Sequence, residues 1–404
     1  MDCLNDLQAV VAGHICLDII PVLPNEGHKK LDEIIAPGKS LILSGVNIAT
    51  GGAVSNTGIA LLILGIQTKL MGKVGQDYFG EIITGILKEK GIDNGVSISK
   101  TAPTSFSIVI SPPGIDRVFL HEPGVNETFA AADIAYDLVK EAKLFHFGYP
   151  PAMRKMFLDD GAELLKVFSK VKSLNVTTSL DFALPDPNSE SGKINWRNIL
   201  KRILPLVDIF APSIEELFFV LRKNEYKQRS ESSKGTDLHE AFNLEILGEF
   251  GAELLDLGVK IAIIKCGKKG FYIRTQDAGV LSGLGKAVPA DLPNWSGREL
   301  FEESYRVSRT VSANGTGDTS IAGFLASLLT GKTIEESLKI ACAVGAQCVQ
   351  TLDALSGLKS LEDTFAAVKE GMIKNRLVLN GSYWKFNRPL NVWVGKKDSL
   401  IGRD

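Results

Sequence analysis

Short apolar runs alternate with longer amphipathic ones along most of the chain, and this limits the fold more than any other feature. Leu144–Phe147, Val176–Asp181, Ile209–Ala211 and Ile261–Lys265 read as strands, and Ala130–Glu141, Met153–Ser173, Ile214–Arg222 and Ala241–Leu257 as helices. Strands apolar on both faces and separated by helices pair in parallel, with helices covering both sides of the sheet. The N-terminal part follows the same rule. Ala9–Ala12 is a buried strand ending at Gly13, with Asp18 shortly after; Gly51-Gly52 leads into a helix from Ala53 to Leu64; Gln67–Met71 is a strand. Asp77 to Lys90 is a helix capped by Asp77, with Phe79, Ile82, Ile83, Ile86 and Leu87 inward and Gly91 at its end. At 404 residues and 45% hydrophobic, the chain has material for one large α/β core, 1–404.

Some segments break the alternation. Val96 to Leu120 is period-two, as in Ser105-Phe106-Ser107-Ile108-Val109-Ile110, with a turn at Pro112-Pro113-Gly114, and reads as antiparallel hairpin. Ile34 to Ile48 suggests small strands outside the main sheet. Gln228–Gly235 reads as a mobile polar loop, and Asp277–Arg306, rich in glycine and proline, as an irregular excursion.

A net charge of −2 and a pI of about 6.3 leave no electrostatic footprint for nucleic acid. Cys3, Cys16, Cys266, Cys342 and Cys348 form no CxxC pair or metal spacing and read as buried thiols of a reducing compartment. The acidic N-terminus reads as no signal peptide, and no apolar stretch reaches membrane-spanning length. The expectation is a cytoplasmic globular protein.

The segment that points to chemistry is Ser312-Ala313-Asn314-Gly315-Thr316-Gly317-Asp318, ahead of the helical run Thr319–Thr330. A helix start carries unpaired N–H groups and the positive end of the dipole, so it suits phosphate oxygens, and glycines admit them closely. Asp318 could cap the helix, or take a proton from a hydroxyl attacking phosphorus. No Lys-Ser/Thr follows the glycines, so this is not a Walker loop.

Four separate segments resemble, in order, the ribokinase-like (PfkB-type) carbohydrate kinases, over about residues 8–370. Gly51 to Ala60, with Leu64-Gly65 and Gly72 to Gly80, is similar to the family's N-terminal signature, and Asn314 to Thr319 with Ala322-Gly323-Phe324 to its C-terminal one. Ala211 to Leu217 resembles the segment holding the Asn-x-x-Glu motif, and Lys265 to Gly270 the late nucleotide-binding turn.

The resemblance implies a three-layer α/β/α sandwich with a mostly parallel central sheet and a small β lid, built from about 15–50 and 95–122. It implies transfer of the γ-phosphoryl of ATP, with Mg²⁺, to an alcohol. Asp318 would be the base, and the N–H groups of Gly315, Thr316 and Gly317 would stabilise the transferred group. Asp18, Gly51, Gly52 and Asn56 would hold a small sugar or polyol acceptor. Ser213, Lys265, Gly267, Gly270, Cys342 and Gly345 would border ATP, and Glu216 would organise Mg²⁺. The family often dimerises through its lid.

Departures from the pattern carry further expectations. Ser312-Ala313 stand where the family has Asp-Thr, which predicts weak dependence on a monovalent cation such as potassium. Ser213 replaces the Asn of Asn-x-x-Glu, and Cys342 replaces an Asn near adenine, which predicts a mostly apolar pocket with Ala341, Gly345 and Cys348 as neighbours. Asp181 ends a strand and is either at the nucleotide site or structural. His121 is either at the acceptor or on the surface, while His14 and His146 read as structural. Lys268-Lys269 reads as a solvated charge pair. A nucleoside kinase on the same fold is the rival reading, and a non-catalytic sugar or nucleotide sensor is the non-enzyme one.

Overall fold

A computed structural model describes residues 7–24, 34, 37–38, 40–92, 95–111, 118–232, 244–377 and 383–399. The strands are β1 (Ala9–Gly13), β2 (Cys16–Val22), β3 (Gly45–Gly51), β4 (Thr68–Gly75), β5 (Val96–Ser99), β6 (Phe106–Ile110), β7 (Val118–Glu122) and β8 (Leu144–Gly148). They continue as β9 (Thr177–Leu180), β10 (Ile209–Phe210), β11 (Ile261–Lys265), β12 (Gly270–Thr275), β13 (Glu299–Glu303), β14 (Trp384–Asn387) and β15 (Val392–Gly395). Among the described residues they form an eleven-stranded sheet, β14-β15-β13-β12-β11-β10-β9-β8-β1-β4-β5, and a four-stranded sheet, β3-β2-β6-β7. From β11 to β5 the large sheet is parallel; β12, β13, β15 and β14 extend it antiparallel.

The period of two explains why helices lie on both sides. In β1, Val10 and Ala12 enter one core cluster, with Phe145, Phe147 and Phe168, while Ala9 and Val11 enter the other, with Val54, Ile321 and Leu325. The helices that position the site are α1 (Gly52–Ile63), α2 (Tyr78–Glu89), α3 (Ala162–Ser173), α4 (Ile214–Leu221), α5 (Thr316–Leu329) and α6 (Ile334–Cys348). Asp77 caps α2 as expected, its Oδ1 accepting from the Gly80 amide at 2.9 Å. The predicted strands at 144–147, 176–181, 209–211 and 261–265 each appear within a residue or two.

Other expectations fail for identifiable reasons. Met153–Ser173 is not one helix: Asp159, Asp160 and Gly161 take positive φ and separate Arg154–Phe157 from α3. Ala130–Glu141 shortens to a 3₁₀ turn and Tyr136–Glu141, because the Asp133 carboxylate accepts from the Ala130 amide and pairs with Lys73 at 2.8 Å. Residues 228–232 of the predicted loop end the helix Lys223–Ser232, while 233–235, like 241–243 and the Pro112-Pro113-Gly114 turn, lie outside the described residues. Val96–Ser99 pairs with β4 in the large sheet, not with the hairpin strands.

The stretch 277–306 is irregular as far as residue 298, apart from the short helices Ala278–Leu281 and Leu292–Trp295, and then enters β13, buried along its length between β12 and β15. Its sequence, Glu-Leu-Phe-Glu-Glu, hides a strand because three carboxylates look solvent-seeking. Each is answered from elsewhere: Glu299 by Tyr272 and Tyr383 hydroxyls, Glu302 by Lys374 at 2.6 Å, Glu303 by Arg376 and the Leu377 amide. The C-terminal hairpin β14–β15, which adds two strands beside β13, carries no expectation from the sequence.

Candidate active site

Parallel sheets present ligand sites at the carboxyl ends of their strands. Here those ends belong to β1, β8, β9, β10 and β11, and the N-terminus of α5 faces them. Gly315 is the N-cap of α5 at φ 68°, where a Cβ would lie 2.3 Å from that of Ala354, so the turn requires glycine. The Thr316 amide and hydroxyl are both engaged by the Ala313 carbonyl, at 3.3 and 3.0 Å. Of the three expected oxyanion donors, the Thr316 amide is thus already engaged within the turn.

Asp318 sits in the first turn, 1% exposed, yet does not cap the helix. Its Oδ2 accepts from Asn56 Nδ2 at 2.9 Å and from the Tyr149 hydroxyl at 2.7 Å, while Oδ1 is buried and receives no donor among the described residues. Burial raises its pKa, and the Lys265 ammonium opposes that rise. Asn56 thus spends its amide N–H on Asp318. Tyr149 follows β8 in a left-handed conformation (φ 66°, ψ 45°) ahead of Pro150, a state costing about 1–3 kcal/mol in such residues.

Lys265, at the end of β11, lies beneath Gly317, where a Cβ would stand 3.4 Å from its Nζ. It donates to Asp181 Oδ1 at 2.5 Å, and Asp181 is wholly buried with Oδ2 unpartnered. Burial pushes Asp181 up to about 8 against the pull of Lys265. The ammonium faces Asp181, Glu216 and Asp318 together, which holds it protonated despite burial. Asp181 is thus joined through Lys265 to the Asp318 and Glu216 carboxyls.

Ser213 and Glu216 form a capping box on α4: the Ser213 amide donates to Glu216 Oε2 at 2.6 Å, and the Glu216 amide to Ser213 Oγ at 3.2 Å. Ser213 also bridges to Lys265 as an isolated strand pair. Ser213, where the resemblance has Asn, thus caps α4 and helps hold Glu216 in place. Glu216 is buried and its pKa rises for that reason.

On the acceptor side, Asp18 of β2 is 5% exposed and accepts from Asn314 Nδ2 at 3.1 Å and Cys16 Sγ at 3.4 Å. Burial lifts its pKa to about 6. Gly51 lies so close that a Cβ would be 2.4 Å from Asp18 Oδ2. Gly52 packs on His14, whose Nε2 meets His121 Nε2 at 3.4 Å; His121 Nδ1 meets Ser107 Oγ at 2.9 Å. Burial, then His121, takes His14 down to about 3, so it is neutral. His121 is thus tied into the small sheet's contact with β1. His146 is buried, its Nδ1 2.9 Å from Ser179 Oγ.

Not every predicted nucleotide residue gathers here. Cys342 faces β13, its Sγ 3.8 Å from the Glu302 carbonyl, with Tyr305 and Lys374 on the Glu302 carboxylate. Cys342 and Ala341 lie in the buried apolar cluster on this side of the sheet, with the Glu302 carbonyl of β13 as the polar neighbour of the thiol. Gly345 meets Ser320 and Thr316 of α5, and Cys348 the Asn314 carbonyl at 3.4 Å, so the three line different contacts on α6. Gly267 opens the short turn after β11, while Gly270 starts β12, its Cα pressed on the Glu302 carbonyl. Lys268 is exposed and Lys269 half-buried, and each has an interaction partner. Of the cysteines, Cys16, Cys266, Cys342 and Cys348 are buried free thiols, and Cys3 lies outside the described residues.

Sequence reasoning missed Tyr149 and the reach of Asn314 to Asp18. A residue just past a strand's carboxyl end was a signal for Tyr149; Asn314 lay inside a quoted motif, and only the crossing of chain segments gives it a partner.

The profile of the pfkB family carbohydrate kinases matches residues 8–361. Fructokinase-2 of Solanum habrochaites is 25% identical over 362 residues, covering 84% of this chain and 96% of that protein. Among solved structures, Arabidopsis thaliana ribokinase complexed with ribose and ATP superposes at TM-score 0.65 with 20% identity, covering 90% of this chain and 98% of that one. A Xylella fastidiosa fructokinase with bound ATP gives TM-score 0.65 at 17% identity, covering 90% and 99%. These likenesses are those of an α/β sandwich with a mostly parallel sheet. Among the described residues no helix is long and apolar enough to cross a membrane.

Proposed function

The chain belongs to the pfkB family of carbohydrate kinases, and from that premise we propose that it moves the γ-phosphoryl of ATP to a hydroxyl of a small sugar or sugar-like polyol. The observation that carries this reading is Asp318, a buried carboxylate in the first turn of α5 whose Oδ1 receives no donor among the described residues.

In this reading the acceptor lies between Asp18 and Asp318, on the backbone of Gly51 and Gly52, with Asn56 Oδ1 as a further contact. Asp318 Oδ1 takes the hydroxyl proton as the new O–P bond forms and the bond to the leaving oxygen of ADP breaks. The Gly315 and Gly317 amides and the Lys265 ammonium beneath them neutralise charge on the equatorial oxygens. Burial of this centre excludes water that would compete for the phosphoryl group.

Mg²⁺ bound with ATP would supply charge neutralisation between the phosphates. The residues fit that role: three buried carboxylates, Asp181, Glu216 and Asp318, face one described ammonium, which leaves room for added positive charge. No group of three His, Cys, Asp or Glu that could hold a metal occurs among the described residues, which suits an ion carried mainly by phosphates and water, with Glu216 on its hydration shell. Potassium dependence should be weak, because Ser312-Ala313 bring no carboxylate to this turn. A second copy of the chain would seat on the small sheet, where Val46, Ile48 and Leu120 are about half exposed. A cytoplasmic site goes with the four buried free thiols.

The test is ATP consumption over a panel of sugars, polyols and nucleosides. Turnover with a sugar or polyol supports the proposal, preference for nucleosides replaces it with the rival acceptor, and binding without turnover replaces it with a sensor.

A further inference from the structure

Asn56 and Tyr149 converge on Oδ2 of Asp318; Oδ1 receives no donor among the described residues, and the Asp181 carboxyl lies within hydrogen-bonding reach of Asp318. Asn56 comes from α1, in the N-terminal signature; Tyr149 comes from the end of β8, outside every motif. We propose that Tyr149 is a positioning residue for the base: its hydroxyl pins Oδ2 of Asp318 so that Oδ1 points at the acceptor hydroxyl. The inference rests on the reading of Asp318 as the base.

Two independent observations carry it. The first is geometric: a carboxylate on a helix start can rotate about χ2, and two donors at 2.7 and 2.9 Å on the same oxygen fix which oxygen is presented. The second is the backbone. A tyrosine at φ 66° and ψ 45°, immediately before a proline, occupies a conformation its own side chain disfavours. Strain of that kind persists where surrounding contacts hold a side chain to a task. Burial and the neighbouring Asp318 charge hold the Tyr149 hydroxyl protonated, so it stays a donor across the working pH range.

The charged and titratable groups around Asp318 are Lys265 of β11, Asp181 after β9, Asp18 and Cys16 of β2, and Cys348 of α6, with Glu216 of α4 acting on Lys265 and Tyr149. Against that background the hydroxyl favours the ionised carboxylate, so its removal moves Asp318 upward.

The experiment compares wild type, Tyr149→Phe and Tyr149→Gly in two measurements. Protein labelled with carbon-13 at the aspartate carboxyls is titrated by NMR, the Asp318 signal being identified by its loss in Asp318→Asn. The acid limb of kcat/KM is then measured with the acceptor found in the panel. In both variants the Asp318 midpoint and the acid limb should rise together by about one pH unit, and kcat at neutral pH should fall roughly tenfold with the ATP KM unchanged. Tyr149→Gly relieves the backbone, so the same shift there assigns the effect to the hydroxyl. An Asp318 midpoint that does not move in folded Tyr149→Phe overturns the proposal. A wild type without turnover on any acceptor instead overturns the kinase reading, and the carboxyl titration still decides whether Tyr149 controls Asp318.

Discussion

Asn56 Nδ2 stands 2.9 Å from Asp318 Oδ2, a bond across 262 positions of chain. It ties the helix after Gly51-Gly52 to the helix after Gly315 in one hydrogen-bonded unit. Nearby, Asn314 reaches Asp18 in the same sense. Moving one side chain here should therefore be felt at both ends of the site.

Replacing the base tests the centre of this unit. Asp318→Asn keeps the bonds from Asn56 and Tyr149 only after its amide turns, and it cannot accept the acceptor's proton. Turnover should fall about 10²–10⁴-fold while ATP still binds with near wild-type affinity by calorimetry. Near-normal turnover in the folded variant would falsify the role of base.

Asp18 should show a conflict between stability and function. Its folded pKa, about 6, lies above the 3.8 of a free aspartate, so the folded protein binds this proton more tightly than the unfolded chain does. Stability is then lost as pH rises from about 4 to about 6, by on the order of 2–3 kcal/mol. Asp18→Asn should melt at a higher temperature than wild type at pH 8, and the gap should close below pH 4. A gap that stays constant with pH contradicts this.

The same carboxylate should govern the acceptor. Asp18→Ala should raise the acceptor KM about 10–100-fold, the loss of one charge-assisted contact, and leave the ATP KM nearly alone. Steady-state kinetics with each substrate varied in turn decides it; a weakened ATP KM with an unchanged acceptor KM would put Asp18 at the other end of the site.

Lys265 and Asp181 should behave as a pair. Lys265→Met removes the donor to a buried carboxyl that then takes up a proton, and should cost about 1–3 kcal/mol in denaturant melts. Adding Asp181→Asn should restore much of that stability but not phosphoryl transfer, because the ammonium under Gly317 is still missing. Recovery of activity in the double variant would show that Lys265 acts only on folding.

Glu216 needs a substitution that spares its cap. Glu216→Gln keeps an oxygen for the Ser213 amide, so α4 should melt normally, while the Mg²⁺ concentration for half-maximal rate should rise several-fold. Potassium, compared with a bulky organic cation at equal ionic strength, should change the rate little. A large saturable rise with potassium would overturn the reading of Ser312-Ala313.

Alternation of short apolar and longer amphipathic runs was enough to determine a parallel sheet between helices, because burial on both faces forces that pattern on strands such as β1 and β11. The glycine turns and Asp318 were legible too, since a helix start needs its special residues in local order. What lay beyond the sequence was every feature whose partner is distant. The carboxylates that make β13 look like loop are neutralised by Lys374, Arg376 and Tyr383 from the C-terminal segment. The surroundings of Cys342 follow from that strand, and the bonds of Tyr149 and Asn314 to Asp318 and Asp18 from the crossing of segments more than a hundred residues apart. Periodicity reports which face of an element avoids water. Which charge meets which in the interior is decided only when the chain closes on itself.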